Sequence, residues 1–301
     1  MRQFFTWTFP FLAACLLLAT PEALAQSRSG EETPSRIVTL GGSITETVYA
    51  LGAGSQIVGV DASSLYPEAA TEKPSVGYFR RLSAEGVLSL NPTLVLALEG
   101  TGPPPVLDQL RSAGVQVRLI QDSPTVVGAK DKIRTIGQIL GREGRADSLI
   151  ARMERDLTEA RDLRTEGTAT PQVLFIYARG AGSMNVAGRA TSAEAMIELA
   201  GAENAISGFE GFKPMTAEAV ASAAPDVILM PSRGLESIGG VDGLAEQPGI
   251  SLTPAGENRR IVQMDDLLLL GFGPRLGTAV KTLTRKLHPE LSMAPTSGAQ
   301  K

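Results

Sequence analysis

One cysteine and one histidine occur in 301 residues, and each scarcity removes a class of function. Cys15 sits in a leader-like segment, so the remainder can form neither a disulfide nor a thiolate metal site and must be held by its core. His288 stands beside Pro289 at the start of a polar stretch. A Ser-His-Asp site would lack its base there, and a zinc site would lack its imidazoles. No G-x-G-x-x-G or G-x-x-x-x-G-K-[ST] occurs, so nucleotide binding has no support. Positive charge is short as well. Against 28 Lys and Arg stand 32 Asp and Glu, and the leader carries one of each (Arg2 and Glu22), so the balance is −4 with or without it. Without a basic patch or interleaved aromatics, nucleic acid is excluded as a partner.

What is present begins with an address. Arg2 gives a small positive start, Phe4 to Leu18 is apolar, and Ala23-Leu24-Ala25 forms an A-x-A site before Gln26. The apolar run is too short for a membrane span. Residues 1–25 are therefore expected to be a cleaved signal peptide, which places the protein outside the cytoplasm. Leu12-Ala13-Ala14-Cys15 resembles a lipoprotein acylation box, but cutting there would leave Leu16-Leu17-Leu18 at the new N-terminus. About 276 residues remain, enough for a sizeable core and better suited to two lobes than to one.

After a polar segment at 26–35, expected to be disordered, Arg36–Leu40 reads as a buried strand and Gly41-Gly42 as a tight turn. Ser43-Ile44-Thr45-Glu46 then fits a capping box opening a helix to about Leu51. Ile57–Val60 is the next strand, and strand, helix, strand with short links is a βαβ beginning. Helix and strand signals continue to Ile120, closing a lobe at 36–122. Residues 123–171 are helical only, with a second helix of about twenty residues. A lobe at 172–288 follows, with a strand at Gln172–Tyr177, a glycine-rich loop (Gly180, Gly182, Gly188) and a second capping-box match at Thr191–Glu194. Residues 289–301 form a polar tail.

An internal repeat ties the lobes together. Residues 83–96 align without gaps on 216–229, sharing Ala84/Ala217, Glu85/Glu218, Val87/Val220, Ser89/Ser222, Pro92/Pro225 and Leu96/Leu229. Two similar βα lobes joined by a helical spine leave a cleft between them, where ligand sites tend to form. The first copy follows Val76-Gly77-Tyr78-Phe79-Arg80. A phenol ligates poorly while protonated, but a hard Fe(III) ion and a nearby guanidinium both favour its phenolate. Gly77 would let the backbone pass something bulky. Tyr78 as an ordinary half-buried tyrosine is the bland alternative.

With these marks in hand, the chain resembles the periplasmic haem-binding proteins of bacterial haem-uptake ABC transporters. That group lies within the wider class serving ferric siderophores and vitamin B12. The resemblance spans about residues 36–288 and rests on three stretches: Gly77 to Gly86, Arg233 to Leu244, and Met264 to Arg275. It implies an α/β fold of two Rossmann-like lobes on a helical spine, the class III periplasmic binding protein architecture. It implies a monomer that is not an enzyme. It would carry ferric haem b in the periplasm to an inner-membrane ABC permease and its ATPase. By position, Tyr78 would be the axial iron ligand, Arg80 would pair near the phenolate or a propionate, and Arg233 would face it from the second lobe. The loop after Tyr177, where some members supply a histidine, has none; Arg179 and Met184 are the candidates it offers. Ser43, at a helix start, could receive an anionic group. Glu85 and Glu218 would dock on the permease. The alternatives are a ferric-siderophore or corrinoid carrier and, from another class, a haem-handling enzyme.

Overall fold

Apolar runs without a polar break suit strands covered on both faces, and four segments of this kind are buried almost throughout. They are β1 (Ile37–Leu40), β3 (Leu94–Leu98), β5 (Gln172–Ala178) and β9 (Val227–Pro231). The computed structural model describes residues 1–3, 36–164, 168–180 and 182–292. The expected signal peptide beyond its first three residues, Cys15, the segment 26–35 and the tail past Ser292 lie outside the described residues. Strands β2 (Ile57–Val60) and β4 (Gln116–Ile120) flank the first sheet in the order β2-β1-β3-β4, all parallel.

The second sheet adds β6 (Met184–Ala187), β7 (Glu203–Asn204), β8 (Phe212–Pro214) and β10 (Ile261–Met264). Its parallel part runs β7-β5-β9-β10, the order of the first sheet repeated. The repeat places each helix before the corresponding strand: Ala84–Leu88 before β3 and Ala217–Ala223 before β9. The glycine-rich stretch after β5 is not a plain loop. Met184–Ala187 turns back and pairs antiparallel with Ile176–Ala178, and β8 extends it. Glycine content alone does not reveal which residues pair across such a turn.

Between the sheets run the helices Val126–Ile139 and Glu143–Asp162; the latter, at 20 residues, is about 30 Å long. The last helix, Leu276–Leu287, packs back on it, and Lys281 donates to Asp156 and Glu159 at 2.8 Å each. One hydrophobic core links a face of each sheet with these helices, and a smaller one covers the other face of the second sheet.

The first helix corrects an expectation. It begins at Gly42, Gly41 is its N-cap with φ +118°, and no side chain caps it. A Cβ on Gly42 would lie 2.4 Å from the Ser63 carbonyl, so this close approach is open only to glycine. The capping box at Ser43 therefore does not form, because both of its side chains are used elsewhere. Ser43 accepts from Lys132, and Glu46 forms a forked pair with Arg275 at 2.7 and 2.9 Å. The guanidinium also lies 3.5 Å from the centre of the Tyr66 ring. At Thr191 half of the box forms: its hydroxyl accepts from Glu194 N at 3.1 Å, while the Glu194 carboxylate takes the amide of Ala190 instead.

Glu46 is 4% exposed and Arg275 24%. Glu46→Gln leaves a largely buried guanidinium without its counter-charge. It is expected to cost about 3 kcal/mol, the low end for breaking a buried pair, because Arg275 keeps some contact with water. A denaturant midpoint unchanged from wild type would show that the pair contributes nothing.

Candidate functional site

Open parallel sheets gather ligands at the carboxyl ends of their strands, and this protein has a cleft of about 530 Å³ where both sheets present those ends. Ser43 follows β1, Ser63 follows β2, Leu98 ends β3 and Asp122 follows β4. From the other side come Tyr177 and Arg179 at the end of β5, Arg233 after β9, and Asp266 with Leu267 and Leu270 after β10. The volume suits a single organic ligand. Leucines and Phe79 supply apolar wall, and the polar groups are few and distinct.

Tyr78 enters from the loop between β2 and β3. Gly77 has φ +86° with open space where a Cβ would lie. That left-handed backbone is readily open to glycine, and the open space leaves room for the close passage expected of it. The loop is tightly held. Ala62 N donates to Gly77 O at 2.9 Å, Arg81 N to Tyr78 O at 2.8 Å, and Gly102 N to Phe79 O at 3.0 Å. Phe79 is buried and meets the Tyr78 ring edge-on at 4.9 Å. The phenol remains 38% exposed, a tyrosine presented to the cleft by a fixed backbone.

Arg80 does not line the cleft. Its guanidinium sits 5.3 Å from the Phe79 ring centre, so it braces the loop from outside. The guanidinium that reaches the phenols is that of Arg179. Its Nε and Nη2 donate to the Tyr177 hydroxyl at 3.3 and 3.1 Å. It is held protonated beyond the usual guanidinium range, chiefly by that hydrogen bond and the Tyr177 charge, with a smaller contribution from Tyr78. Arg179 thus donates to the Tyr177 hydroxyl in a cleft that Tyr78 lines as well.

Tyr177 is the site residue that the sequence reading missed. Its signal was there, since Tyr177-Ala178-Arg179 repeats the Tyr-x-Arg of residues 78–80. At a strand end this spacing puts both side chains on one face. The hairpin fixes Arg179 further: Arg179 N donates to Ser183 O, and Gly180 N to the hydroxyl of Ser237 beside Arg233.

Arg233 lines the cleft from the helix Ser232–Glu236. The nearby Asp266 carboxyl is pushed above the ordinary carboxylate range, first by burial and then by Asp265; the Arg233 amide and guanidinium oppose the rise. Ser43 lines the cleft floor, but its hydroxyl accepts from Lys132 at 3.0 Å. Met184 lies in β6 opposite Ala178, half-buried against the second core, and does not line the cleft. Nor does His288, buried where the last helix ends. Glu85 and Glu218 are both exposed, each the second residue of its helix.

Comparison with known proteins gives a consistent result. The periplasmic binding protein family matches residues 37–268. The structure of a periplasmic heme-binding protein, RhuT from Roseiflexus sp. RS-1 in apo form, superposes with a TM-score of 0.82. It is 48% identical, over 85% of this chain and 99% of that one. The periplasmic heme-binding protein BhuT in complex with two hemes gives 0.80 and 45%, over 85% of this chain and 98% of its own. An uncharacterized ABC transporter substrate-binding lipoprotein, YvrC of Bacillus subtilis (strain 168), is 30% identical over 272 residues, 89% of this chain and 85% of its own length.

Proposed function

The chain belongs to the periplasmic binding protein family, and from that premise we propose that it binds ferric haem in the periplasm and hands it to an ABC permease and its ATPase. The observation that carries this reading is the Tyr177 phenol held by the Arg179 guanidinium in a cleft that the Tyr78 phenol also lines. A ferric ion already held by four porphyrin nitrogens needs one or two hard axial donors. A phenol whose conjugate base is stabilised by a cation is such a donor.

In this reading Tyr78 is the axial ligand, Tyr177 the second donor across the cleft, and Arg179 the group that makes either oxygen available. Arg233 faces the porphyrin edge, where its charge suits a propionate. The leucines of the wall take the apolar ring. The halves 36–122 and 172–288 flank the cargo in a monomer, with 123–171 as the spine between them, a link that allows little closure. Structural neighbours that share this fold are periplasmic heme-binding proteins, and the cleft is given a binding role here, with no catalysis. Glu85 and Glu218 would meet the permease.

Because Arg179 touches the phenol and Arg80 only the back of Phe79, the two arginines should separate. Arg179→Gln removes a charged hydrogen bond and is expected to lower hemin affinity on the order of tenfold. Arg80→Ala loses an exposed cation–π contact of about 0.5–1 kcal/mol and should change affinity only a few-fold. Equal losses in hemin titrations would return Arg80 to the ligand's side.

The reading itself is tested by titrating the purified protein with hemin, cobalamin and a ferric siderophore in parallel. A complete siderophore or corrinoid shell has no need of a phenolate. Saturable hemin uptake with a phenolate-to-iron band, and no uptake of the other two, is the expected result. Preference for either of the others would overturn it.

A further inference from the structure

Behind the cleft floor lies a lysine that no ligand role uses. Lys132 stands on the helix Val126–Ile139, and its side chain is wholly shielded from solvent. Its ammonium donates to Asp122 Oδ1 at 2.7 Å, to Ser43 Oγ at 3.0 Å and to the Gly271 carbonyl at 3.4 Å. All three acceptors line the cleft. They reach it from separate parts of the chain: the first helix, the segment after β4, and the loop beyond the helix Asp266–Leu270. An ammonium has three N–H groups, and here each has an acceptor, so none is left for cargo.

Asp122 is in the opposite situation. Its side chain is 43% exposed. It lines the cleft and also an adjoining recess of about 290 Å³ next to Thr191 and Phe212. Its carboxylate therefore faces the space a ligand occupies, and Lys132 is the cation paired with it. Burying an ammonium is costly unless it is paired and hydrogen-bonded. The arrangement meets that condition by joining residues from both sheets at one point.

We propose that Lys132 is a positioning residue for the cargo. It fixes the cleft floor from both halves and cancels the charge of Asp122 in the space that an anionic ligand would enter. The inference rests on the haem reading, in that the anions concerned are the porphyrin's two carboxylates. Removing the ammonium alone exposes the cargo to an unbalanced carboxylate. Removing both charges does not, since replacing both members of such a pair is far milder than deleting one.

The test compares Lys132→Met, and Lys132→Met combined with Asp122→Asn, against wild type. The two probes are hemin and hemin dimethyl ester, in which the carboxylates are neutral. Lys132→Met should bind hemin on the order of tenfold more weakly, bind the ester as wild type does, and regain most of its hemin affinity in the double variant. Unchanged hemin binding by Lys132→Met would overturn the proposal. So would equal loss of both probes without recovery in the double variant, which is what a purely structural lysine would give. Should the single variant not fold, the double variant decides. A wild-type ratio of hemin to ester affinity supports charge balance, and a ratio shifted against hemin contradicts it. A wild-type protein that takes up neither porphyrin overturns the haem reading, a result distinct from these.

Discussion

Replacing Tyr78 by phenylalanine is expected to abolish the phenolate-to-iron charge-transfer band of the hemin-loaded protein and leave the fold intact. The ring and its edge-on contact with Phe79 at 4.9 Å survive, and the loop is held by backbone hydrogen bonds that the hydroxyl does not share. Only the oxygen donor goes. Tyr177→Phe deprives Arg179 of its closest acceptor but leaves Tyr78 in place, so the band should persist at reduced affinity. The double variant should lose both band and tight binding. A band that survives Tyr78→Phe and vanishes in Tyr177→Phe would move the ligand across the cleft.

The second large effect concerns delivery. Helices that precede parallel strands run against them, so their N-termini lie on the side of the strands' carboxyl ends. Glu85 and Glu218 therefore share the cleft side of their sheets, at matching positions of the repeat and outside the cleft lining. As helix-start carboxylates each contributes roughly 0.3–1 kcal/mol, which explains an acidic residue but not the matched pair. A duplicated protein docking on a two-fold symmetric partner would need like charges at like places, and the matched pair supplies them. Rim charges govern encounter and register. The double swap Glu85→Lys/Glu218→Lys should leave hemin affinity as it is and reduce haem delivery to the reconstituted transporter on the order of tenfold or more. The deficit should deepen at low salt, where repulsion is less screened. Normal delivery by that variant would leave both residues as helix-start carboxylates only.

Legibility in the sequence followed the range of the interaction concerned. The two parallel sheets were readable because their strands are local apolar runs and because residues 83–96 and 216–229 share a short, gap-free pattern. Tyr78 was readable because an exposed phenol after glycine, beside arginines, is locally odd. Tyr177 was not, since it ends the apolar run Val173–Ile176 and stands out only once the fold brings it to the cleft. Strand β6 was hidden because it is only four residues long and stands among glycines. Ser43 was misassigned for another reason. Its hydrogen-bond partner, Lys132, is 89 residues away, and Gly41 and Gly42 let the helix start one residue earlier than Ser43. Arg179, two residues after Tyr177, donates to that phenol, while Arg80, two residues after Tyr78, lies beside the Phe79 ring; the same spacing has different outcomes at a strand end and on a loop.

The central claim is that a phenol of this cleft holds the cargo's iron, and diffraction tests it most directly. Crystals of the hemin-loaded protein, with anomalous data collected at the iron edge, would locate the metal independently of the porphyrin. The account predicts one iron peak within bonding distance of the Tyr78 hydroxyl, with Arg179 against that oxygen. Iron placed away from both Tyr78 and Tyr177, or haem bound outside the cleft, would contradict it.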